Sequence, residues 1–450
     1  MSDNGHLSKA LSDRHIQFIA LGGAIGASLF VGSGQGISMA GPGILLAFLI
    51  AGAAVYLMSR AMGEMILANP DSPTFAALVD RYVGRWAGFV SGWSYWLIWA
   101  LVGVLEATAI GLVCKYWYPG LPQWIPALTA LLLLYAINRL AVRLFGEFEF
   151  WLTSIKIVTI VILIVGGAAM AALHLGPDGQ EADIANLWND GGFFPFGLAG
   201  CLAALPLAVF AFGGTELLGV TAAETADPRR SIPRAVNGVI FRILFFYIGS
   251  LAVIMMVANW RSLSPDISPF VLVFERAGFA YAAAVVNFVV LTAIVSSLNS
   301  GIFATGRMLY SLALLGDAPA PLAYLDRRQL PANGINLSMV VMLAGVSFNY
   351  IFPEQVFGFL VSVVAALLLL TWSLIIFAHL RFRRTGESDA GFAMPFFPWS
   401  NRLALGFYAG IAALLCLDPG SRATVYSFAV WVTIISLAYV VRHWRGKIQE

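Results

Sequence analysis

Charge is scarce in this sequence. Only 11% of its 450 residues are Asp, Glu, Lys or Arg, against roughly a quarter in a soluble domain, too few to cover a water-facing surface. Cysteine is scarcer: Cys114, Cys201 and Cys416 are the three, far apart inside apolar runs. No disulfide or metal spacing exists, and they read as small buried hydrophobes. The five histidines (His6, His15, His174, His379 and His443) all fall at predicted tails or span ends. That leaves no imidazole–carboxylate constellation within the spans for an embedded enzyme. A formal net charge of +2 gives no reason to expect a nucleic acid partner. A cleavable signal is missing too. Residues 1–15 are polar and lack the charged, apolar, small-residue order of one, so the first span is expected to insert uncleaved. The longest loops run to about 30 residues, around 305–335, which excludes a membrane-tethered enzyme with its own catalytic domain.

What is abundant is apolar sequence, at 60% of the chain. It falls in blocks near 16–38, 43–66, 86–114, 124–138, 151–173 and 196–221, then 236–258, 280–304, 335–352, 356–380, 403–417 and 424–441. A crossing takes about 20 residues of helix, so an all-α integral membrane protein of twelve transmembrane helices is expected. With the N-terminus in the cytoplasm, 21 of the 26 Lys and Arg fall in cytoplasmic loops, tails or span ends. Lys115, Arg261, Arg276 and Arg422 fall outside, and Lys156 within a span. An odd number of spans would scramble that split, so both termini are expected inside. The aromatics Trp86, Trp93, Tyr116, Trp117, Trp124, Trp188 and Trp260 fall near predicted span ends, as interfacial belts do.

Two spans make poor helices. The first carries six glycines between Gly22 and Gly36, each costing about 1 kcal/mol relative to alanine. The sixth holds Phe210, Ala211, Phe212, Gly213, Gly214 and Thr215, followed by Glu216. Glycines can serve close helix packing, but two breaks five spans apart are what an inverted repeat of spans 1–5 and 6–10 would show. Broken backbone cannot face lipid. Half-helix ends offer N–H groups to an anion and carbonyls to a cation, and a zwitterionic amino acid has both. Nucleotide-loop spacing does not fit the Gly32–Gly36 stretch.

The stretch ALGGAIGASLFVGSG at 20–34 resembles the first-span signature of the bacterial amino acid permeases in the amino acid–polyamine–organocation superfamily. FAFGGTE at 210–216 is similar to their sixth-span signature, with AETADPRRSIPRA at 223–235 following as it does in the family, and SGIFATGRMLY at 300–310 fits as well. The resemblance covers nearly the whole chain. It implies the LeuT-type five-plus-five inverted-repeat fold, with discontinuous helices 1 and 6 and two further C-terminal helices. A cytoplasmic tail at 1–15 would precede a ten-helix core at 16–383, made of repeats 16–173 and 196–383. Helices 11 and 12 would occupy 402–441, with a tail at 442–450. Where relatives usually carry Thr-Gly, this chain has Ala27-Ser28; carboxylate binding through backbone N–H groups survives that change, while hydroxyl contacts move by one residue.

The resemblance places the substrate carboxylate at N–H groups near Ala27, Ser28 and Leu29. The ammonium would meet carbonyls near Ala24, Ile25 and Phe210 to Phe212. Gly26, Gly213, Gly214 and Thr215 complete the binding region, and Phe30 and Phe212 flank the breaks as either substrate lids or packing. Among ionisable groups, Lys156 reads either as snorkelling to the interface or as a titratable amine. By resemblance, it sits where sodium-coupled members of the fold bind sodium, and proton coupling through Lys156 is the expectation. Glu106, deep in the third span, is either structural or a substrate- or proton-binding group. Glu216 and Glu224 are gate candidates that could pair with loop arginines, with a solvated loop charge equally open for Glu224. Asp227-Pro228 reads as a helix stop, and Glu147 and Glu149 as interfacial caps.

The expected function is import of an amino acid by proton symport with alternating access, with no covalent chemistry, cofactor or metal. The partners are the amino acid, a proton and membrane lipid. A channel is the rival class, disfavoured by the absence of a pore-lining polar stripe. SIPRAVNGVIFR at 231–242 and AHLRFRR at 378–384 look closest to aromatic-amino-acid members, while YIGSLAVIM at 247–255 also fits alanine/serine/glycine members. A neutral or aromatic L-amino acid is expected. An exchange mode, or small, GABA-like or cationic/His substrates, are the alternatives. Oligomeric state has no signal.

Overall fold

The computed structural model describes residues 18, 25–72, 74–140, 142–176, 181–221, 227–263, 268–276, 280–351, 356–387 and 390–449. Among these, every regular element is helical. The longer ones are α1 (Gly32–Ala40), α2 (Ile44–Ala68), α3 (Phe75–Val83), α4 (Arg85–Cys114), α5 (Trp124–Asn138), α6 (Val142–Ala172) and α7 (Gly197–Ala211). Then come α8 (Pro228–Val257), α9 (Pro269–Arg276), α10 (Ala280–Leu314), α11 (Ala332–Ile351), α12 (Val356–Thr385), α13 (Trp399–Leu417) and α14 (Arg422–Gln449).

Nine stretches among the described residues are long and apolar enough to cross a membrane, and Trp124–Asn138 and Ala332–Ser347 are shorter apolar helices. The first of the nine, Gly32–Ala68, runs for 37 residues. At 1.5 Å per residue that is about 55 Å, against a hydrocarbon core of about 30 Å. It is not one straight rod: a 3-10 turn at Gly41–Gly43 interrupts it, and Gly41 takes φ +57°, where a side chain would be strained.

α4 and α10 form the centre, each with 78% of its apolar window buried, whereas α14 has only 11% buried. Tyr426, Val430, Ile434, Leu437 and Val440 of α14 are exposed, and such a face needs hydrocarbon or another protein surface against it. α6 shows the same logic in one helix. Trp151, Ile155, Val158, Ile162 and Val165 point outward, while Glu149, Thr153, Lys156, Ile160 and Leu163 are buried. Both sets step by four and three residues, the spacing of one helical face.

Local chemistry sets several boundaries. The Asp227 carboxylate accepts from the Arg230 N–H, with Pro228 at the first helical position. That pair therefore starts α8, because proline's missing N–H costs nothing in a first turn; the stretch before it lies outside the described residues. Beyond α12, a buried polar cluster ties three helices together. Glu64 Oε2 on α2 contacts His379 Nε2 at 2.9 Å and accepts from the Met394 N–H at 2.7 Å. Its Oε1 lies 3.1 Å from Arg383 Nε. Asn401 on α13 donates to His379 Nδ1 at 3.0 Å. Sequence position puts His379 at a span end, yet it is fully buried.

Candidate substrate site

The non-helical bend at Ile25 and Gly26 and the break after α7 meet beside α4, α10 and α12. After Gly26 a single turn, Ala27–Phe30, leads through Val31 into α1. Opposite it, α7 stops at Ala211 and the chain crosses Phe212 and Gly213 to Gly214, which takes φ +101°. A 3-10 turn, Thr215–Leu217, and a helical turn, Leu218–Thr221, resume the course. A left-handed residue at that bend favours glycine, since a Cβ there costs roughly 1–2 kcal/mol. Between the breaks lies a cavity of about 20 Å3, lined by Ser28, Trp99, Glu106, Phe210, Gly213 and Ser297 with aliphatic groups around them. That volume suits a water or two, at ~10–15 Å3 each, so the site is closed down.

Both ends of the first break are held by ionisable side chains of the protein. The Ala27 N–H donates to Glu106 Oε2 at 3.1 Å, and Ser297 Oγ donates to Oε1 at 2.7 Å. On the other side of Gly26, Lys156 Nζ donates to the Ile25 carbonyl at 3.1 Å and to Ser296 Oγ at 2.9 Å. Gly26 is what allows this closeness. A Cβ there would overlap the Glu106 carboxylate and come within 2.7 Å of Ser297 Cβ and Oγ. Lys156 is fully buried with its amine on the broken helix, so the snorkelling alternative does not describe this structure. Glu106 and Lys156 are 50 residues apart in sequence but converge through the adjacent hydroxyls of Ser296 and Ser297.

At the second break, protein groups also take up the carbonyls. Tyr247 donates its hydroxyl to the Ala211 carbonyl at 2.9 Å. The Phe210 carbonyl accepts from the Gly213 N–H at 2.9 Å, and the Phe212 carbonyl from Thr215 Oγ1 at 3.1 Å. Glu216 faces inward. It accepts from the Gly214 N–H at 3.1 Å and from Trp372 Nε1 at 3.3 Å. These contacts brace the bend, and none of them is the loop arginine expected of a gate.

Of the aromatic lid candidates, Phe30 packs on Phe270 with ring centroids 4.7 Å apart. Phe212 sits on Tyr247 and Phe48 at 4.8 and 5.6 Å. In this structure neither lines the cavity; Phe210 is the phenylalanine that does. Leu29, Ala211 and Thr215 are buried behind it. Ala24 and Glu224 lie outside the described residues. Sequence reasoning missed Ser296, Ser297, Trp372, Tyr247 and above all Glu149. That residue is completely buried, two turns from Lys156 on the inward face of α6. The four-and-three spacing of Glu149, Thr153 and Lys156 was the readable signal. The Trp99 ring lines the cavity, with its Nε1 buried.

The profile of the amino acid permease family matches residues 15–449. The chain belongs to the amino acid permease family. This permease is 42% identical over 98% of its length to the amino-acid permease AapA of Bacillus subtilis (strain 168), covering 96% of that protein. It is 41% identical over 98% of its length to the aromatic amino acid transport protein AroP of Escherichia coli (strain K12), covering 97% of it. It is also 42% identical over 96% of its length to a D-serine/D-alanine/glycine transporter of Escherichia coli O6:H1, covering 94% of it. It is therefore a multi-pass membrane transporter and not an enzyme.

Proposed function

We propose that this permease imports a neutral or aromatic L-amino acid across the cell (inner) membrane by proton symport with alternating access. One observation carries the reading: the break at Gly26 offers an N–H to a carboxylate and a carbonyl to an ammonium, two residues apart. Those are the two charges every amino acid brings. Glu106 and Lys156 hold these positions in the closed site, and each can take or give a proton. The apolar wall of Ile98, Val102, Phe210, Val364 and Leu368 favours a side chain without charge. Relatives named for aromatic amino acids and for D-serine, D-alanine and glycine support both the aromatic and the small-substrate alternatives.

The same reading takes the fold as twelve spans in a five-plus-five inverted repeat, with the boundaries given above and both termini cytoplasmic. Dividing Gly32–Ala68 at Gly41–Gly43 and adding the two shorter apolar helices brings the nine stretches to that number. Two broken helices facing one cavity support the repeat.

The decisive experiment is uptake into proteoliposomes, competed by a panel of unlabelled amino acids and repeated with a proton uncoupler. Neutral or aromatic competitors and collapse of accumulation with the uncoupler are expected. Uptake insensitive to the uncoupler but stimulated by internal amino acid would replace symport with exchange. Retained pH-gradient-driven accumulation in Lys156→Gln would remove Lys156 from the coupling.

A further inference from the structure

Glu149 has no part in the substrate cavity, yet it is a fully buried carboxylate. It lies seven residues from Lys156, two turns along the same inward stripe of α6. Its oxygens accept from Thr153 Oγ1 at 3.2 Å, from Asn299 Nδ2 at 3.3 Å and from Ser296 Oγ. Ser296 is also the acceptor for Lys156 Nζ at 2.9 Å. One hydroxyl thus receives from the amine and donates to the carboxylate, an unbroken ammonium–hydroxyl–carboxylate line. Asn138 donates to Asn299 Oδ1 at 2.7 Å, which fixes the amide that holds the other carboxylate oxygen. Among the described residues, Glu149 from its own helix and Glu106 from α4 are charged groups facing Lys156, and Lys156 is a charge facing Glu149. α10 contributes hydroxyls and an amide.

We propose that Glu149 is the proton partner of Lys156, with Ser296 as the bridge between them. The step balances without any other reactant. Lys156 Nζ passes a proton to Ser296 Oγ as Ser296 passes its own to Glu149 Oε1, leaving a neutral amine, a neutral acid and an unchanged serine. Charged and neutral forms of the pair then differ by position of one proton, with no net charge moved into the membrane. Isolated charge there is costly, and hydrogen-bonded pairing offsets part of that cost. Discharging Lys156 frees the Ile25 carbonyl of its cation, which links the proton to the broken helix. Glu106, on the substrate side, can keep its own contact with Ala27 throughout. This inference rests on the coupling role of Lys156 proposed above.

The test reconstitutes the wild type, Lys156→Gln, Glu149→Gln, Glu149→Asp and Ser296→Ala. Each is assayed with an equimolar mixture of tritiated L-amino acids for pH-gradient-driven accumulation and for counterflow without a gradient. For Glu149→Gln, accumulation falling at least about tenfold with counterflow within about twofold is expected, as for loss of a buried proton site. Glu149→Asp should restore much of the accumulation, and Ser296→Ala should share the defect of Glu149→Gln. Equal loss of accumulation and counterflow in Glu149→Gln, unrescued by Glu149→Asp, would reduce the residue to structure and overturn the proposal. So would wild-type accumulation in Glu149→Gln while Lys156→Gln is uncoupled. If Lys156→Gln itself stays coupled, the earlier reading falls and this one with it. A wild type that accumulates nothing from the mixture removes both.

Discussion

Gly26→Ala is the sharpest test of the site, because a single methyl group addresses the contact on which the reading depends. The added Cβ would overlap the Glu106 carboxylate and sit 2.7 Å from Ser297 Cβ and Oγ. Glu106 is the far end of a side chain and can swing, but Ser297 Cβ is fixed on α10. Swinging the carboxylate does not relieve the Ser297 contact, so the relief comes from the first break moving off α10, which carries the Ala27 N–H away from where a substrate carboxylate would meet it. Forcing one methyl into such packing costs about 1–3 kcal/mol, and an equal loss of coupling to the substrate site is roughly 5- to 150-fold in affinity. The measurement is binding and uptake by purified protein, alongside thermal stability and a second variant, Gly238→Ala. Nothing lies within 4 Å of a Cβ at Gly238, and alanine in a helix interior gains up to about 1 kcal/mol over glycine, so that variant should behave as wild type or better. Gly26→Ala with wild-type affinity and uptake would refute the claim that Glu106 and the Ala27 N–H work as one unit.

Gly214→Ala should lose about 1–2 kcal/mol of stability from the left-handed bend and impair uptake more than Gly238→Ala does; equal behaviour of the two would argue that the bend is not required. Tyr247→Phe leaves the buried Ala211 carbonyl without its hydroxyl at 2.9 Å, a cost of about 1–3 kcal/mol. It should be visible as a lower melting temperature with substrate selectivity retained; unchanged stability would mean another donor takes over. Glu64→Gln strips the charge between His379 and Arg383, and breaking one member of a buried pair typically costs ~3–5 kcal/mol. The double variant Glu64→Gln with Arg383→Gln should recover part of that loss in a thermal-shift assay; strict additivity would deny the pair.

The membrane character of the chain was legible from charge scarcity alone, and the breaks from glycine clusters in otherwise apolar runs. Composition reports environment and glycine reports backbone, and neither needs a partner to be known. The site's second layer was hidden for the opposite reason. Ser296 and Ser297 look like ordinary polar residues of α10 until Lys156 and Glu106 approach from other helices. Glu149 was misread because its distance from the start of a span was weighed, not the helical face it shares with Lys156. Nearness to the breaks leaves Phe30 and Phe212 open between lid and packing, because rotamer direction decides what an aromatic covers; in this structure they turn to Phe270 and Tyr247. Asp227-Pro228 marks a helix boundary of either kind, and only the hydrogen bond to the Arg230 N–H shows that it opens one.

The contact between Glu106 and the Ala27 N–H has a consequence for what an affinity measurement means. A substrate carboxylate that uses this N–H evicts a resident carboxylate, so the observed binding strength is a difference between two occupancies of one donor. Weakening the resident then strengthens the visitor. Ser297→Ala, which removes the 2.7 Å anchor of Glu106, should tighten substrate binding while slowing release into the cell, because the residue that reclaims the donor is less eager to return. Tight binding and fast turnover would then pull in opposite directions at this one N–H, and selection for transport would favour the weaker binder.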